Sequence, residues 1–175
     1  EFTELSYIVA ASDKAAEVKK QWFLANSTHV VDLAFFLGGE PKHIHGLTAG
    51  TLPWHPAASV FAGCGCTQSG ALFAYHANWE SAGRWGVEIC TKNRRLVLRP
   101  LEQLFVQKRE GFDLCRIELD DEYDKQFKPG IYRQVEAFLF EHPDQVKSLL
   151  TIADHYERSS LFLASMCSPI RKGEW

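Results

Sequence analysis

Methionine is nearly missing from this chain. Of 175 residues only Met166 is one, and the chain opens Glu1-Phe2-Thr3 rather than on Met. A gene product usually starts with Met, so the expectation is a piece of something longer or a processed product. Long hydrophobic runs are missing too. No apolar stretch approaches the ~20 residues a membrane helix needs, and no signal-peptide pattern opens the chain. A basic cluster is also lacking: 19 Lys and Arg stand against 22 Asp and Glu, a formal net charge of -3. Lys92 to Arg95 is only a turn-like tip, so neither nucleic acid nor a membrane is expected as a partner. The five cysteines are odd in number and scattered, without the density of a disulfide framework, which points to a reducing cytoplasm. Internal repeats, linkers and low-complexity segments do not occur. What is present is one domain's length of chain with 5 Trp and 12 Phe, enough large side chains for a sizeable core.

The order of patterns points to strands in the middle and helices at both ends. Leu5 to Ala10 is a short β-rich run, and Ser12 and Asp13 offer N-caps for a helical stretch through Val18 and Lys19. Lys42 to Ala49 predicts a strand, and Gly50 to Pro56 a loop. Ser59 to Cys66 and Ala71 to Trp79 flank the polar tip Thr67-Gln68-Ser69-Gly70, a hairpin pattern. Further strands are predicted over Arg84 to Cys90, Leu96 to Leu98, Leu104 to Val106 and Leu114 to Leu119. Ile131, Val135, Phe138 and Leu139 form one apolar helical stripe after Pro129-Gly130. Pro143 is placed as the first residue of a longer helix carrying Val146, Leu149, Ala153, Tyr156 and Leu163 on one side. Without βαβ alternation, this predicts an α+β fold: an open, mainly antiparallel β-sheet with helices packed on one face, forming a single domain over residues 1–175.

Trp22 to Pro41 carries the candidate chemistry. It reads as a helix apolar almost all round and closed by Gly38-Gly39 and then Pro41, so burial is expected. His29 and Asp32 lie three residues apart on it and share a face. An imidazole held near a hydroxyl is a general acid-base group, and a carboxylate beside it orients it or binds substrate hydroxyls. A buried histidine bonded to Asp32 for structure alone fits the same pattern.

Thr28-His29-Val30-Val31-Asp32-Leu33 followed by Leu37-Gly38-Gly39-Glu40-Pro41, the strand Trp85-Gly86-Val87-Glu88-Ile89 with a turn into Leu96-Val97-Leu98, and the helix around Gln134, Phe138 and Leu139 together resemble a known family. Over nearly its whole length the chain is similar to the carboxy-terminal domain of the Gfo/Idh/MocA oxidoreductases, the glucose-fructose oxidoreductase and inositol dehydrogenase family. That resemblance implies a two-domain NAD(P)-dependent oxidoreductase in which an amino-terminal Rossmann domain holds NAD or NADP. The present domain closes the cleft over a sugar, sugar derivative or polyol. It implies His29 and Asp32 as catalytic residues, and a homo-oligomer formed through the sheet. No G-x-G-x-x-G segment occurs here, nor the family's Glu-Lys-Pro segment, so the fragment alone is expected to bind no cofactor and to be inactive. Where many family members carry an Asp one helical turn before the histidine, this chain has Ala25, with Asn26 beside it. The competing reading is a non-catalytic α+β dimerisation or small-ligand-binding domain with a structural His-Asp pair.

Asn26, Arg84, Lys128 and Tyr132 are the candidate substrate-binding residues; Arg84, Lys128, Tyr132 and Arg133 lie near strand and helix ends where a phosphate or nucleotide sugar would be met, although a solvated surface group is the commoner reading of each. His43 and His45 share a strand face, as do Cys64 and Cys66. The cysteine pair lacks the spacer of common zinc motifs, so sheet-face histidines and small buried cysteines are expected and no metal is assigned. Phe73, Tyr75 and Trp79 lie on one strand face, with Trp85 on a neighbouring strand. The expectation is that this aromatic face is left open by the helices and forms a subunit interface.

Overall fold

A computed structural model describes residues 27–52, 58–140 and 149–167, with side chains to residue 164. The predicted strand over residues 5–10, the helical stretch before residue 27, Ala25 and Asn26 lie outside the described residues.

Helix α1 (Thr28–Gly38) buries Thr28, Val30, Val31 and Phe35. Its end is set by Gly39, whose positive φ of 97° suits glycine and whose N–H returns to the Phe35 carbonyl at 2.9 Å. Strands β1 (Pro41–Ala49), β2 (Val60–Thr67) and β3 (Leu72–Asn78) follow as an antiparallel meander. A second antiparallel meander holds β4 (Val87–Cys90), β5 (Arg94–Leu98), β6 (Leu104–Lys108) and β7 (Cys115–Ile117). Then come the short helix α2 (Glu122–Gln126), α3 (Ile131–Phe140) and α4 (Ile152–Cys167). The α+β class holds, with two open sheets where one was expected.

The core lies between the first sheet and helices α1 and α4. Phe35 of α1 meets Phe73 edge-on at 5.2 Å, and Phe162 of α4 packs on Tyr75 at 4.8 Å. Trp79 and Phe61 are buried completely or nearly so beneath them. This reverses one expectation. The aromatic face of β3 is the one the helices cover, because its large rings bury far more apolar area than the alternating Leu72, Ala74, His76 and Asn78 set. That second set belongs to the open face, where Leu72 is 86 % exposed.

Small residues on β2 make the fit possible. A Cβ on Gly63 would stand 2.3 Å from the His45 carbonyl oxygen and 2.5 Å from the Tyr75 ring. One on Gly65 would stand 2.0 Å from the His43 carbonyl oxygen and 2.6 Å from the Phe73 ring. The aromatic rings of β3 therefore lie across the two glycines of β2, and Cys64 and Cys66 alternate onto the open face. Cys64 is exposed rather than buried, a second correction.

The C-terminal helix also differs from expectation. It begins at Ile152, with Leu149 and Leu150 outside it. Its start is fixed by Thr151, whose Oγ1 accepts the Asp154 N–H at 3.1 Å and donates to Asp154 Oδ2 at 2.6 Å. This is an N-terminal cap: the threonine hydroxyl satisfies one of the first free N–H groups of the helix and is itself held by the aspartate. Tyr156, placed on the apolar side by periodicity, is largely exposed. Pro143 and Val146 lie outside the described residues.

Candidate functional site

Helix α1 is apolar in composition but not buried all round. Val31 and Phe35, one turn apart, point into the core, whereas His29 and Phe36 are exposed. The helix packs on a sheet along one side only, and 3.6-residue periodicity turns His29 away from that side. His29 stands beside Trp85, with ring centroids 6.2 Å apart and planes at 51°. Arg84, next in sequence to Trp85, is exposed.

Asp32 faces elsewhere. Its Oδ1 accepts a hydrogen bond from the Arg158 guanidinium of α4, and no hydrogen bond joins it to His29 among the described residues. Glu40, just past the Gly38-Gly39 stop, takes the same guanidinium in a two-point grip. Arg158 Nε donates to Glu40 Oε2 at 3.1 Å and Arg158 Nη2 donates to Glu40 Oε1. Arg158 is only 8 % exposed. Burial alone would push its pKa down; the hydrogen bond to Glu40 and the charges of Asp32 and Glu40 outweigh that and hold it above its ordinary value. The pairing closes helix α1, its C-terminal turn and helix α4 into one cluster. Beside it lies a cavity of about 360 Å³ lined by Asp32, Phe36, Glu40, Asp154, Glu157 and Arg158 among others. His29 does not line it. The two candidate catalytic side chains thus serve different surroundings: His29 an exposed face with Trp85, Asp32 a buried cation.

The remaining candidates are dispersed. Asn26 lies outside the described residues. Lys128 is exposed between α2 and α3. Tyr132 stacks on Tyr123 at 4.1 Å and on Phe127 at 5.2 Å, so its ring is taken up within that helical hairpin. Arg133 pairs with Asp120 at 2.6 Å and covers the Tyr123 ring. Arg158 and Glu40 were missed as partners of Asp32. One hint was available: Arg158 stands four residues before Phe162, hence on the buried stripe of its helix, and a buried arginine demands carboxylates. Among the described residues no three of His, Cys, Asp and Glu gather closely enough to hold a metal ion.

No protein-family model matches the sequence, and no curated protein is similar enough to count as a match. Solved structures do match. Levoglucosan dehydrogenase in complex with NADH and levoglucosan aligns at a TM-score of 0.63 and 16% identity, over 94% of this chain and 55% of that one. UDP-N-acetylglucosamine 3-dehydrogenase GnnA from Acidithiobacillus ferrooxidans aligns at 0.57 and 15%, over 94% and 52%. An oxidoreductase from Agrobacterium radiobacter in complex with NAD+, L-tartaric acid and magnesium aligns at 0.56 and 16%, over 94% and 51%. The chain thus spans about half the length of these three structures. At this identity the likeness is one of fold: the chain has the fold of about half of each of these dehydrogenase and oxidoreductase structures.

Proposed function

We propose that this chain is the substrate-side domain of an NAD(P)-dependent oxidoreductase acting on a sugar, sugar derivative or polyol, working with a Rossmann domain that holds the cofactor. The observation that carries this reading is the match of 94% of the chain to about half of sugar dehydrogenases. The exposed face of α1 with His29 on it supports the reading, since a general base must reach a substrate that enters from outside the domain. In this reading His29 accepts the substrate hydroxyl proton, the nicotinamide cofactor of the Rossmann domain would supply the hydride acceptor, and Trp85 and Arg84 lie beside His29. Asp32 acts as a positioning residue: by holding Arg158 it fixes α1 against α4 and thereby fixes the place of His29. Asn26, Lys128 and Tyr132 remain candidates for contact with the substrate. The four free cysteines of the described residues fit a cytoplasmic location, and no helix among those residues is long and apolar enough to cross a membrane.

The test is made on the complete protein that carries this chain, assayed with NAD+ and NADP+ against sugars and polyols. His29→Ala should lower turnover about a hundredfold or more and leave cofactor affinity nearly unchanged. Wild-type turnover in a folded His29→Ala protein removes the catalytic role. The second reading, a non-catalytic domain, draws on the engagement of Asp32 by Arg158 rather than by His29. It predicts that no reduced cofactor forms with any of these substrates. The chain by itself should give no heat with NAD+ or NADP+ in calorimetry, because it has no glycine-rich turn to bring backbone amides to a pyrophosphate.

A further inference from the structure

Two turns at one end of the second sheet carry cations that stand apart in sequence and together in space. Lys92 lies in the turn before β5, which Arg94 begins; Lys108 ends β6, and Arg109 follows it into the next turn. The register sets Arg94 directly opposite Lys108. Their Cβ atoms are therefore about 4.5–5.5 Å apart, and two like charges so opposed cost stability. Both turns are firmly built. Thr91 Oγ1 donates to the Arg94 carbonyl at 2.9 Å and accepts the Arg94 N–H at 3.2 Å. Gln107 Nε2 donates to the Gly111 carbonyl at 3.1 Å, and the Arg109 N–H ties one turn to the other at the Asn93 carbonyl, 3.0 Å away. Between them opens a hollow lined by Arg94, Lys108, Arg109 and Glu110 among others, with Glu110 its one carboxylate. Among the described residues no ion pair engages Lys92, Arg94, Lys108 or Arg109, whereas Arg95, on the other face of β5, is held by Glu88 at 2.6 Å.

We propose that this hollow binds a small anion ending in a diphosphate, held by Arg94 and Lys108 with Lys92 and Arg109 at its rim. An oxyanion between Arg94 and Lys108 replaces their mutual repulsion with charge-assisted hydrogen bonds, and the planar fork of arginine matches phosphate oxygens. A terminal diphosphate concentrates its charge at one end of the ligand. The internal diesters of a dinucleotide do not, so this site is separate from cofactor binding. It is separate from His29 as well. Trp85, beside His29, precedes β4, and the turn at Thr91 follows that strand, six residues on, or about 20 Å of extended chain. A long polyanion fits poorly, because Glu118, Asp120, Asp121 and Glu122 come directly after β7 of the same sheet.

Calorimetry of the chain with sodium pyrophosphate at fixed ionic strength tests this, with sulfate and ADP titrated separately. The expected result is saturable heat at one pyrophosphate per chain and far weaker binding of sulfate. ADP identifies the source: tighter binding than pyrophosphate assigns the site to a nucleoside diphosphate, equal or weaker binding to free diphosphate. Amide NMR shifts on adding pyrophosphate should move at Asn93, Arg94, Arg109 and Gly111. Arg94→Gln/Lys108→Gln should weaken binding about tenfold or more, and Arg116→Gln should leave it unchanged. Circular dichroism confirms that each variant is folded. Without the anion the Arg94→Gln/Lys108→Gln chain should melt no lower than wild type, because the substitution removes a repulsion. Absence of saturable heat in the wild-type chain, sulfate binding as tightly as pyrophosphate, unchanged affinity in folded Arg94→Gln/Lys108→Gln, or amide shifts confined to other residues would overturn the proposal.

Discussion

Arg158 is the residue on which two separate sequence signals converge. The Gly38-Gly39-Glu40-Pro41 end of α1 reads as a stop signal, yet it also swings Glu40 back to the guanidinium that Asp32 holds from the helix itself. Removing the cation leaves two carboxylates facing each other beside a cavity already rich in acid groups. Both reach some water, with side chains 27 % and 50 % exposed, so the loss falls below the value for a fully buried pair. Arg158→Met should cost about 2–3 kcal/mol, a fall in Tm of roughly 4–12 °C for a chain of this size. Arg158→Lys should recover only part of it, because an ammonium cannot reproduce the two-point grip on Glu40. A Tm for Arg158→Met within a degree of wild type would show that the cluster adds nothing. Because the Arg158 pKa is raised, its contribution is fully present below the ordinary arginine range and is lost only as pH rises through the folded-state value. The effect of the substitution should therefore not vary across neutral pH through titration of Arg158 itself.

The strands and α1 were legible at the level of the element, because their signals are local: period-2 alternation, turn residues and a glycine stop. The helix ending at Gly38, the strand at Pro41 and the hairpin tip at Thr67 to Gly70 all stand within a residue or two of expectation. Which face of β3 is buried was not legible, because alternation names two faces without saying which one the helices take. The same gap hid the site. His29 and Asp32 share a face by spacing, but the arginine that claims Asp32 lies 126 residues away. The aromatic-over-glycine packing gives a direct test at this scale. Gly63→Ala places a methyl against a backbone carbonyl and the Tyr75 ring, and overpacking of this kind costs about 1–3 kcal/mol. Gly38→Ala meets nothing within 4 Å and should be neutral or slightly stabilising. Chemical denaturation of the two variants separates them, and equal midpoints would mean that β3 does not press on β2 as described.

For the molecule as a whole, what remains uncovered matters as much as the core. Among the described residues α3 has its main element contact with α2, and Phe138 and Leu139 of α3 are 73 % and 63 % exposed. The open face of the first sheet adds Leu47 and Leu72. Apolar surface of this extent on a folded unit usually meets another surface, and the oxidoreductase reading supplies two: a cofactor domain and a second copy of the chain. The sheet face is the one we assign to self-association, and the corrected orientation of β3 decides how to test it. Tyr75 is buried under Phe162, so Tyr75→Asp should unfold the chain and says nothing about assembly. Leu72 points out from the opposite face, so Leu72→Asp should leave Tm nearly unchanged while opposing two negative charges across a two-fold contact. Light scattering over a concentration series should then show wild-type chain associating and Leu72→Asp staying monomeric. If wild type and Leu72→Asp associate alike, the contact lies elsewhere, and the exposed stripe of α3 becomes the surface to charge next. If wild type is monomeric at every concentration, the open face is no contact between copies of this chain.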